Sequence, residues 1–455
     1  MFSKNLKKIS NDEMREQMLN RSIGGLLFQK AFPTVIIQLI TVIYNTADTY
    51  FVAKISTEAS AAVGVVFSLM AIIQAFGFGI GMGSGSIISR KLGAKKEKEA
   101  NTFGSSALAA AFLCGLFLLM FGLLNVRAMF SLIGASENVL PYAVSYGSYI
   151  LWAAPVMCMS FVFNNILRSE GQTFLAMMGM TAGGILNCFL DPIFIFGFGM
   201  GIGGAAAATA LSQLLSFCIL GSFFARKKSI TRLSPKYISK EWYVYGEILK
   251  TGFPTICRQG LGSLSSAVLN VQASMYGDAT VAAVSIANKL YMLARNIVLG
   301  IGQGYQPIAG FCFGAGKKER VKKLFWMATA AGTVVCLIFS VGMGIAHSSV
   351  MAWFRDDPEV IVTGSHMLIF MCVSMPVLAY STYVNQTYQC LGFAKGATFL
   401  ACCRQGICFI PLAFILPPLL GVTGIEMLQP AADILTFAIS VPMQVRFFKK
   451  HLKTE

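Results

Sequence analysis

Charged residues are scarce in this chain: they make up 12% of its 455 residues, about half the share usual in soluble proteins. Hydrophobic residues make up 55%, and the mean hydropathy is +0.66. So little charge cannot cover the roughly three soluble domains that this length would suggest, whereas about 20 apolar residues suffice for one membrane crossing. The composition predicts an all-α membrane protein and argues against a nucleic-acid-binding protein, despite a net charge of +16.

Patterns of metal-binding and disulfide-forming residues are also missing. The three histidines, His347, His366 and His451, are scattered and form no HExxH motif. Most of the 12 cysteines fall singly inside apolar stretches, and those that share a stretch lack metal-site spacing. They are typical of small buried hydrophobic side chains. The sequence therefore predicts neither an enzyme nor a bound cofactor.

Cutting the chain at charged or Pro/Gly-rich breaks predicts twelve membrane-spanning helices. With the N-terminus inside, 29 of the 36 lysines and arginines fall on the inner side. Because short cytoplasmic loops collect these residues, both termini are predicted to be cytoplasmic, in a multi-pass protein of the plasma (inner) membrane. The net positive charge then serves mainly to orient the protein in the membrane. The predicted spans are 28–51, 61–88, 103–125, 142–167, 174–197, 201–225, 251–275, 281–311, 325–347, 363–389, 397–419 and 422–446.

Short motifs recur at a constant distance along the chain. Phe32-Pro33-Thr34 recurs as Phe253-Pro254-Thr255, and Gly93-Ala94 recurs as Gly314-Ala315, both 221 residues on. Two copies of a six-helix unit are therefore predicted, and an even number of spans makes the copies parallel. The predicted organisation is an amino-terminal bundle over 1–225, a basic cytoplasmic linker over 226–250 and a carboxy-terminal bundle with a short basic tail over 251–455.

Two acids lie within the predicted spans of the first half, where an ionised carboxylate costs about 2.5–3.5 kcal/mol at a helix centre. Asp48 and Asp191 fall at matching depth, Asn187 precedes Asp191 by one helical turn, and Thr209 lies on the next span. Pro192 loosens the helix after Asp191. These oxygens suit Na⁺, and two neighbouring acids also suit a proton. A structural interpretation stays open, in which Asp48 braces a helix and Asp191 ends one.

The tract N187-C-F-L-D191-P-I-F-I-F-G-F-G, with G-I-G-G-A-A-A-A-T209 after it, resembles helices five and six of multidrug and toxic compound extrusion (MATE) transporters, members of the multidrug/oligosaccharidyl-lipid/polysaccharide flippase superfamily. The resemblance continues in order through the chain, for example in L-R-S-E-G-Q-T at 167–173. It implies a secondary antiporter that expels amphipathic organic cations while Na⁺ or H⁺ enters. We expect the monomer to be functional. It also implies a cation-coupling site of Asp48, Asn187, Asp191 and Thr209, with Tyr146 as a further member.

The second half departs from part of this family, because its first span, 251–275, contains no acid. A cation site like that of some MATE branches is therefore not expected there. Arg295 and Asp433 are predicted to meet in a polar contact, either a structural ion pair or a contact that rearranges between states. Arg258 and Arg404 are placed nearer the helix ends, where they could reach the membrane interface.

Other functions remain open. A flippase of a lipid-linked or other anionic substrate is the strongest alternative, because four basic residues lie within the spans of the second half: Arg258, Lys289, Arg295 and Arg404. A facilitator-superfamily carrier is disfavoured because its charged signature is absent after the second span. A channel or a purely structural membrane protein would not need two acids at matching depth.

Overall fold

The computed structural model describes residues 11–453, and this part of the chain contains fifteen α-helices and no strand. A π-helical turn, Ile193–Gly197, follows α7, and a second one, Cys403–Cys408, joins α13 to α14. The helices are α1 (Asn11–Asn20), α2 (Ile23–Ala53), α3 (Thr57–Gly93), α4 (Glu97–Leu124), α5 (Val126–Ile133), α6 (Leu140–Ser169), α7 (Thr173–Pro192), α8 (Gly201–Ala225), α9 (Trp242–Ser274), α10 (Asp278–Gly314), α11 (Lys318–Phe354), α12 (Pro358–Leu391), α13 (Ala394–Cys402), α14 (Phe409–Leu420) and α15 (Val422–His451).

Ten helical stretches of the described chain are long and apolar enough to cross a membrane. They are α2, α3, α4, α6, α7 with its π-helical turn, α8, α11, α12, α13 continued into α14, and α15. The other two predicted spans fall within α9 and α10, which have 33 and 37 residues but carry more polar side chains, including Arg258 and Arg295. An all-helical, multi-spanning protein is confirmed, while the count of twelve spans and the cytoplasmic termini stay predictions.

Helix packing follows the same plan in both halves of the chain. In the first half α6 is the most deeply buried span, and it packs against α3, α4 and α8. In the second half α12 packs in the same way against α10, α11 and α15. The halves meet where α3 contacts α9 and α10, and where α2 contacts α10. Each half therefore contributes its first two long helices to the contact.

The closest approach between the halves depends on glycine. A Cβ atom at Gly252 of α9 would lie 2.0 Å from the carbonyl oxygen of Gly79 on α3, and one at Gly304 of α10 would lie 2.5 Å from the Cα of Ala31 on α2. No larger residue fits at such distances without moving a helix. Both contacts lie toward the N-terminal ends of α2 and α9, so the halves are closed there.

A Cβ atom added at Gly64 of α3, or at Gly260 or Gly262 of α9, would meet no neighbouring atom within 4 Å. The close glycine contacts between the halves therefore lie at the end of the bundle where α2 begins.

The connection between the halves is anchored to the first half. The buried Glu170 carboxylate accepts hydrogen bonds from the backbone N–H groups of Ile230 and Thr231, at 2.9 and 2.7 Å, and from the Ser229 hydroxyl at 2.9 Å. Asn101 accepts a further bond from the Arg232 N–H. Because α9 begins at Trp242, the helical part of the second half starts within the predicted linker 226–250.

Candidate cation site

Four helices of the first half bring the predicted polar residues together. Asp48 lies on α2, Tyr146 on α6, Asn187 and Asp191 on one face of α7, and Thr209 on α8. Their exposed fractions range from 0 to 4%. Since α7 packs against both α2 and α8, and α6 against α8, residues far apart in sequence meet in one buried cluster.

Hydrogen bonds connect the members of this cluster in two groups. The Tyr146 hydroxyl donates to Asp48 Oδ2 at 3.0 Å. The Asn187 amide donates to Asp191 Oδ1 at 3.1 Å and lies 3.2 Å from the Thr209 hydroxyl, to which it also donates. Tyr146 lies close to Thr209 as well, which joins the two groups.

Three oxygen atoms in the cluster are buried without a hydrogen-bond partner in the described structure: Asp48 Oδ1, Asn187 Oδ1 and Asp191 Oδ2. The two carboxylates are near enough to interact electrostatically. Buried polar atoms are almost always paired, so three unpaired oxygens in one place need an explanation. They are hard ligands that a cation such as Na⁺ would satisfy, and a proton shared between the acids would relieve the repulsion.

The backbone is irregular beside this cluster. The regular helix α7 ends at Pro192, the residue after Asp191, and a π-helical turn continues it from Ile193 to Gly197. Such turns often occur at functional sites because they free backbone groups and permit bending. The sequence analysis did not include Tyr44, which lies one helical turn before Asp48 and interacts with it electrostatically. The sequence could have indicated Tyr44, because residues four positions apart lie on the same face of a helix.

The donor set does not resemble a site for a transition metal. No group of three or more His, Cys, Asp or Glu side chains with suitable placement occurs between residues 11 and 453. Two carboxylates, an amide and two hydroxyls instead favour a hard monovalent cation or a proton.

The polar contact predicted in the second half has a different partner. Asp433 forms its ion pair with Arg404, whose Nε lies 2.7 Å from Asp433 Oδ1. Tyr291 and Gln429 also donate to this carboxylate. Arg295 interacts with Asp433 only at longer range. Arg404 therefore replaces Arg295 as the partner, because the π-helical turn Cys403–Cys408 places Arg404 toward α15.

Arg404 is largely buried among the helices of the second half. Its side chain is 13% exposed, and its Nη2 donates to the Tyr291 hydroxyl at 2.8 Å. Arg258 is half-buried and interacts electrostatically with Arg404. Both arginines thus belong to one polar cluster inside the second half, which the linear order of the spans did not reveal.

A family model described as MatE matches this chain twice, over residues 33–193 and 254–415, and the two matches begin 221 residues apart. Together they cover more than half of the sequence. The chain therefore belongs to the MATE family, whose members are multidrug efflux transporters with multiple membrane-spanning helices. The resemblance stated from the sequence is confirmed, and transporters of this family are not enzymes and need no cofactor.

Individual proteins of known name are similar over nearly the whole chain. The multidrug export protein MepA of Staphylococcus haemolyticus is 26% identical over 415 residues, which are 91% of each chain. MepA of Staphylococcus saprophyticus is 27% identical over 418 residues, 91% of this chain and 92% of the relative. A solved structure described as an outward-facing conformation of a multidrug resistance MATE transporter superposes with a TM-score of 0.90 at 23% identity, covering 95% of this chain and 98% of that one. This structural likeness shows the fold.

Proposed function

We propose that this protein is a secondary active antiporter that exports amphipathic organic cations across the plasma membrane in exchange for Na⁺ or H⁺. The observation that carries the proposal is the buried cluster around Asp48 and Asp191, with its three unpartnered oxygens. Similarity to proteins named as multidrug exporters supports small-molecule drugs as the substrates. No cofactor is needed, since the ion gradient supplies the free energy.

The coupling would work through a difference in ion affinity between two states. An ion shifts a conformational balance only if it binds one state better than the other. With Asp48 and Asp191 buried together, the described state needs a cation or a proton, whereas a state in which water reaches the acids does not. The π-helical turn after Pro192 is the proposed point at which α7 bends between them.

The proposed architecture is two parallel six-helix bundles, 1–225 and 251–455, joined by the linker 226–250, with both termini cytoplasmic. In that orientation the glycine contacts between α3 and α9 close the cytoplasmic side. Since all five site residues lie in the first half, one chain suffices for the site, and we propose that the monomer is the functional unit.

Reconstitution tests the proposal. Purified protein in liposomes loaded with ethidium is exposed to an inward Na⁺ gradient or a pH gradient, each with the membrane potential clamped. Saturable ethidium flux driven by one of the two gradients is expected. Flux that needs neither gradient and does not saturate would indicate a channel, and protein-free liposomes give the leak rate.

A flippase of an anionic substrate is the second candidate, favoured by the arginines inside the second half. Arg258, Arg295 and Arg404 interact with one another, while Asp433 is the acid that faces them. If the reconstituted protein moves a labelled lipid diphosphate but no organic cation, this function replaces the antiporter. The buried acids of the first half favour the antiporter.

A further inference from the structure

A buried arginine lies at the contact between the two halves. Arg168 of α6 is 4% exposed, and its Nη1 donates to the side-chain oxygen of Gln303 on α10, in the second half, at 2.8 Å. Its Nη2 donates to the sulfur of Met82 at 3.1 Å. Both partners are neutral, so neither compensates the positive charge of the guanidinium group. A buried charge is costly unless a group of opposite charge pairs with it.

The acid nearest to Arg168 in the sequence has other partners. The Glu170 carboxylate accepts hydrogen bonds from the Ser229 hydroxyl and from the backbone N–H groups of Ile230 and Thr231. Glu170 thereby anchors the connection between the halves. Its oxygens are committed to that segment rather than to Arg168.

A small cavity adjoins the Arg168 guanidinium. Its volume is about 20 Å³, which is room for one water molecule or one monatomic ion. The nine residues that line it come from α3, α6 and α10, so both halves contribute to its wall. None of these nine residues is acidic, and they include Ser86, Ser89 and Gln306 beside Arg168.

The unpaired nitrogens at this cavity are hydrogen-bond donors. Arg168 Nε and Gln306 Nε2 are buried and have no hydrogen-bond partner among residues 11–453, and both side chains line the cavity. One donor comes from each half of the molecule. In the candidate cation site the unpaired atoms are oxygens, whereas here they are N–H groups and one belongs to a cation. Such a pair of donors suits a single negatively charged acceptor.

The repeat shows that the helical scaffold does not require a charge at this position. One hydrogen bond recurs 221 residues apart and fixes the register of the two copies here: Asn164 to the Ala176 carbonyl, and Asn385 to the Ala397 carbonyl. At this offset Gln389 corresponds to Arg168. The Gln389 amide stays within its own half and donates to the Thr255 hydroxyl at 2.7 Å. Only the first copy therefore directs a charged side chain at the other half.

We propose that Arg168 and Gln306 form a binding site for a small monovalent anion such as chloride. The anion accepts hydrogen bonds from Arg168 Nε and Gln306 Nε2 and compensates the guanidinium charge. One ion fits the volume of the cavity and balances one uncompensated charge. The proposal depends neither on the coupling ion nor on the exported substrate.

The position of the site gives the anion an effect on conformation. Its two donors come from different halves, so the complete site exists only while the halves are in contact. The contact beside it is tight, since a Cβ atom at Gly310 of α10 would lie 2.3 Å from the Ser89 hydroxyl oxygen. An ion that binds one state better than another stabilises that state. Chloride thus stabilises the closed contact between α3, α6 and α10.

Thermal unfolding of the purified full-length protein in nanodiscs of neutral lipid tests the site. Chloride is exchanged for gluconate at constant Na⁺ concentration and ionic strength, because gluconate is too large for a cavity of this volume. The unfolding temperature is expected to rise with the logarithm of the chloride concentration above the dissociation constant. An unfolding temperature that is the same in both anions would mean that the cavity holds water only, and would overturn the proposal.

Two substitutions test the donors from each half. Arg168→Gln introduces the residue found at the equivalent position of the second half, and it should abolish the chloride dependence. Gln306→Leu keeps the charge but removes one donor, so chloride affinity should fall about tenfold. Arg127→Gln is the matched control, because this exposed arginine of α5 lies outside the cavity, and it should keep the full chloride response. A full response in Arg168→Gln would overturn the assignment.

Bromide offers a measurement that needs no variant, should Arg168→Gln fail to fold. Bromide is a heavier halide whose anomalous scattering locates it in a crystal. Crystals of the unaltered protein grown in bromide are expected to show an anomalous peak beside Arg168 Nε and Gln306 Nε2. Chloride-dependent stability without a peak there would place the anion elsewhere and overturn the site. No ion gradient is applied in any of these experiments, so failure of the antiport proposal would leave their results unchanged.

Discussion

Replacing Asp48 with asparagine tests the proposed ion coupling most directly. The change removes one negative charge at almost constant volume, and the Tyr146 hydroxyl can still donate to the amide oxygen. The side chain is buried, so little water is available to replace the lost charge. We therefore expect the helices to keep their arrangement while the cation site loses one of its two carboxylates.

The size of the effect follows from the charge that is lost. A cation about 4 Å from a carboxylate gains about 4 kcal/mol at an effective dielectric constant of about 20. With the single amide oxygen held by Tyr146, the NH₂ group takes the position of Oδ1 and offers the cation no oxygen. The affinity for the coupling ion should therefore fall about 10³-fold. At ordinary ion concentrations gradient-driven efflux should be abolished, while binding of the organic cation persists.

The measurement is ethidium efflux from liposomes at matched protein density, with the driving ion varied over three orders of magnitude. Asp278→Asn is the control, because this exposed acid at the start of α10 lies outside the site. Thermal unfolding of each variant checks that folding is intact. An unchanged ion dependence in Asp48→Asn would refute the assignment and direct the search to Asp433.

Three further substitutions probe other parts of the structure. Asn187→Leu removes a neutral ligand oxygen and a donor, so ion affinity measured by efflux should fall about tenfold, less than for Asp48→Asn. Gly252→Ala places a methyl group against the backbone of α3 and should lower the unfolding temperature, reflecting a cost of about 1–3 kcal/mol. Arg404→Met leaves the Asp433 carboxylate buried without its ion-pair partner and should destabilise the protein by about 3–5 kcal/mol in chemical unfolding.

Two of these substitutions have a matched comparison. Gly260→Ala adds the same methyl group on the same helix where nothing lies within 4 Å, and an equal loss of stability there would contradict the contact argument. Adding Asp433→Asn to Arg404→Met should restore much of the lost stability, because it removes the uncompensated charge. If Asn187→Leu transports like the unaltered protein, the amide is not a ligand.

The sequence alone was sufficient to predict a helical membrane protein, its family and the residues of the first-half cluster. A membrane span can be recognised from the sequence because its length and hydrophobicity are properties of that segment alone and do not depend on the helices that pack against it. Asp48 and Asp191 were identifiable because a carboxylate in an apolar segment is costly wherever the segment packs. The recurrence of Phe32-Pro33-Thr34 similarly needed only comparison along the chain.

Only the tertiary structure shows which side chains of different helices are in contact. The distance along the spans placed Arg295 opposite Asp433 and Arg404 near a helix end, but the rotation of each helix about its axis determines which side chains meet. The π-helical turn at Cys403–Cys408 changes that rotation, and no sequence period reports it. The oxygens left unpaired around Asp48 were equally invisible in the sequence, because whether a polar atom has a partner depends on every helix that packs around it.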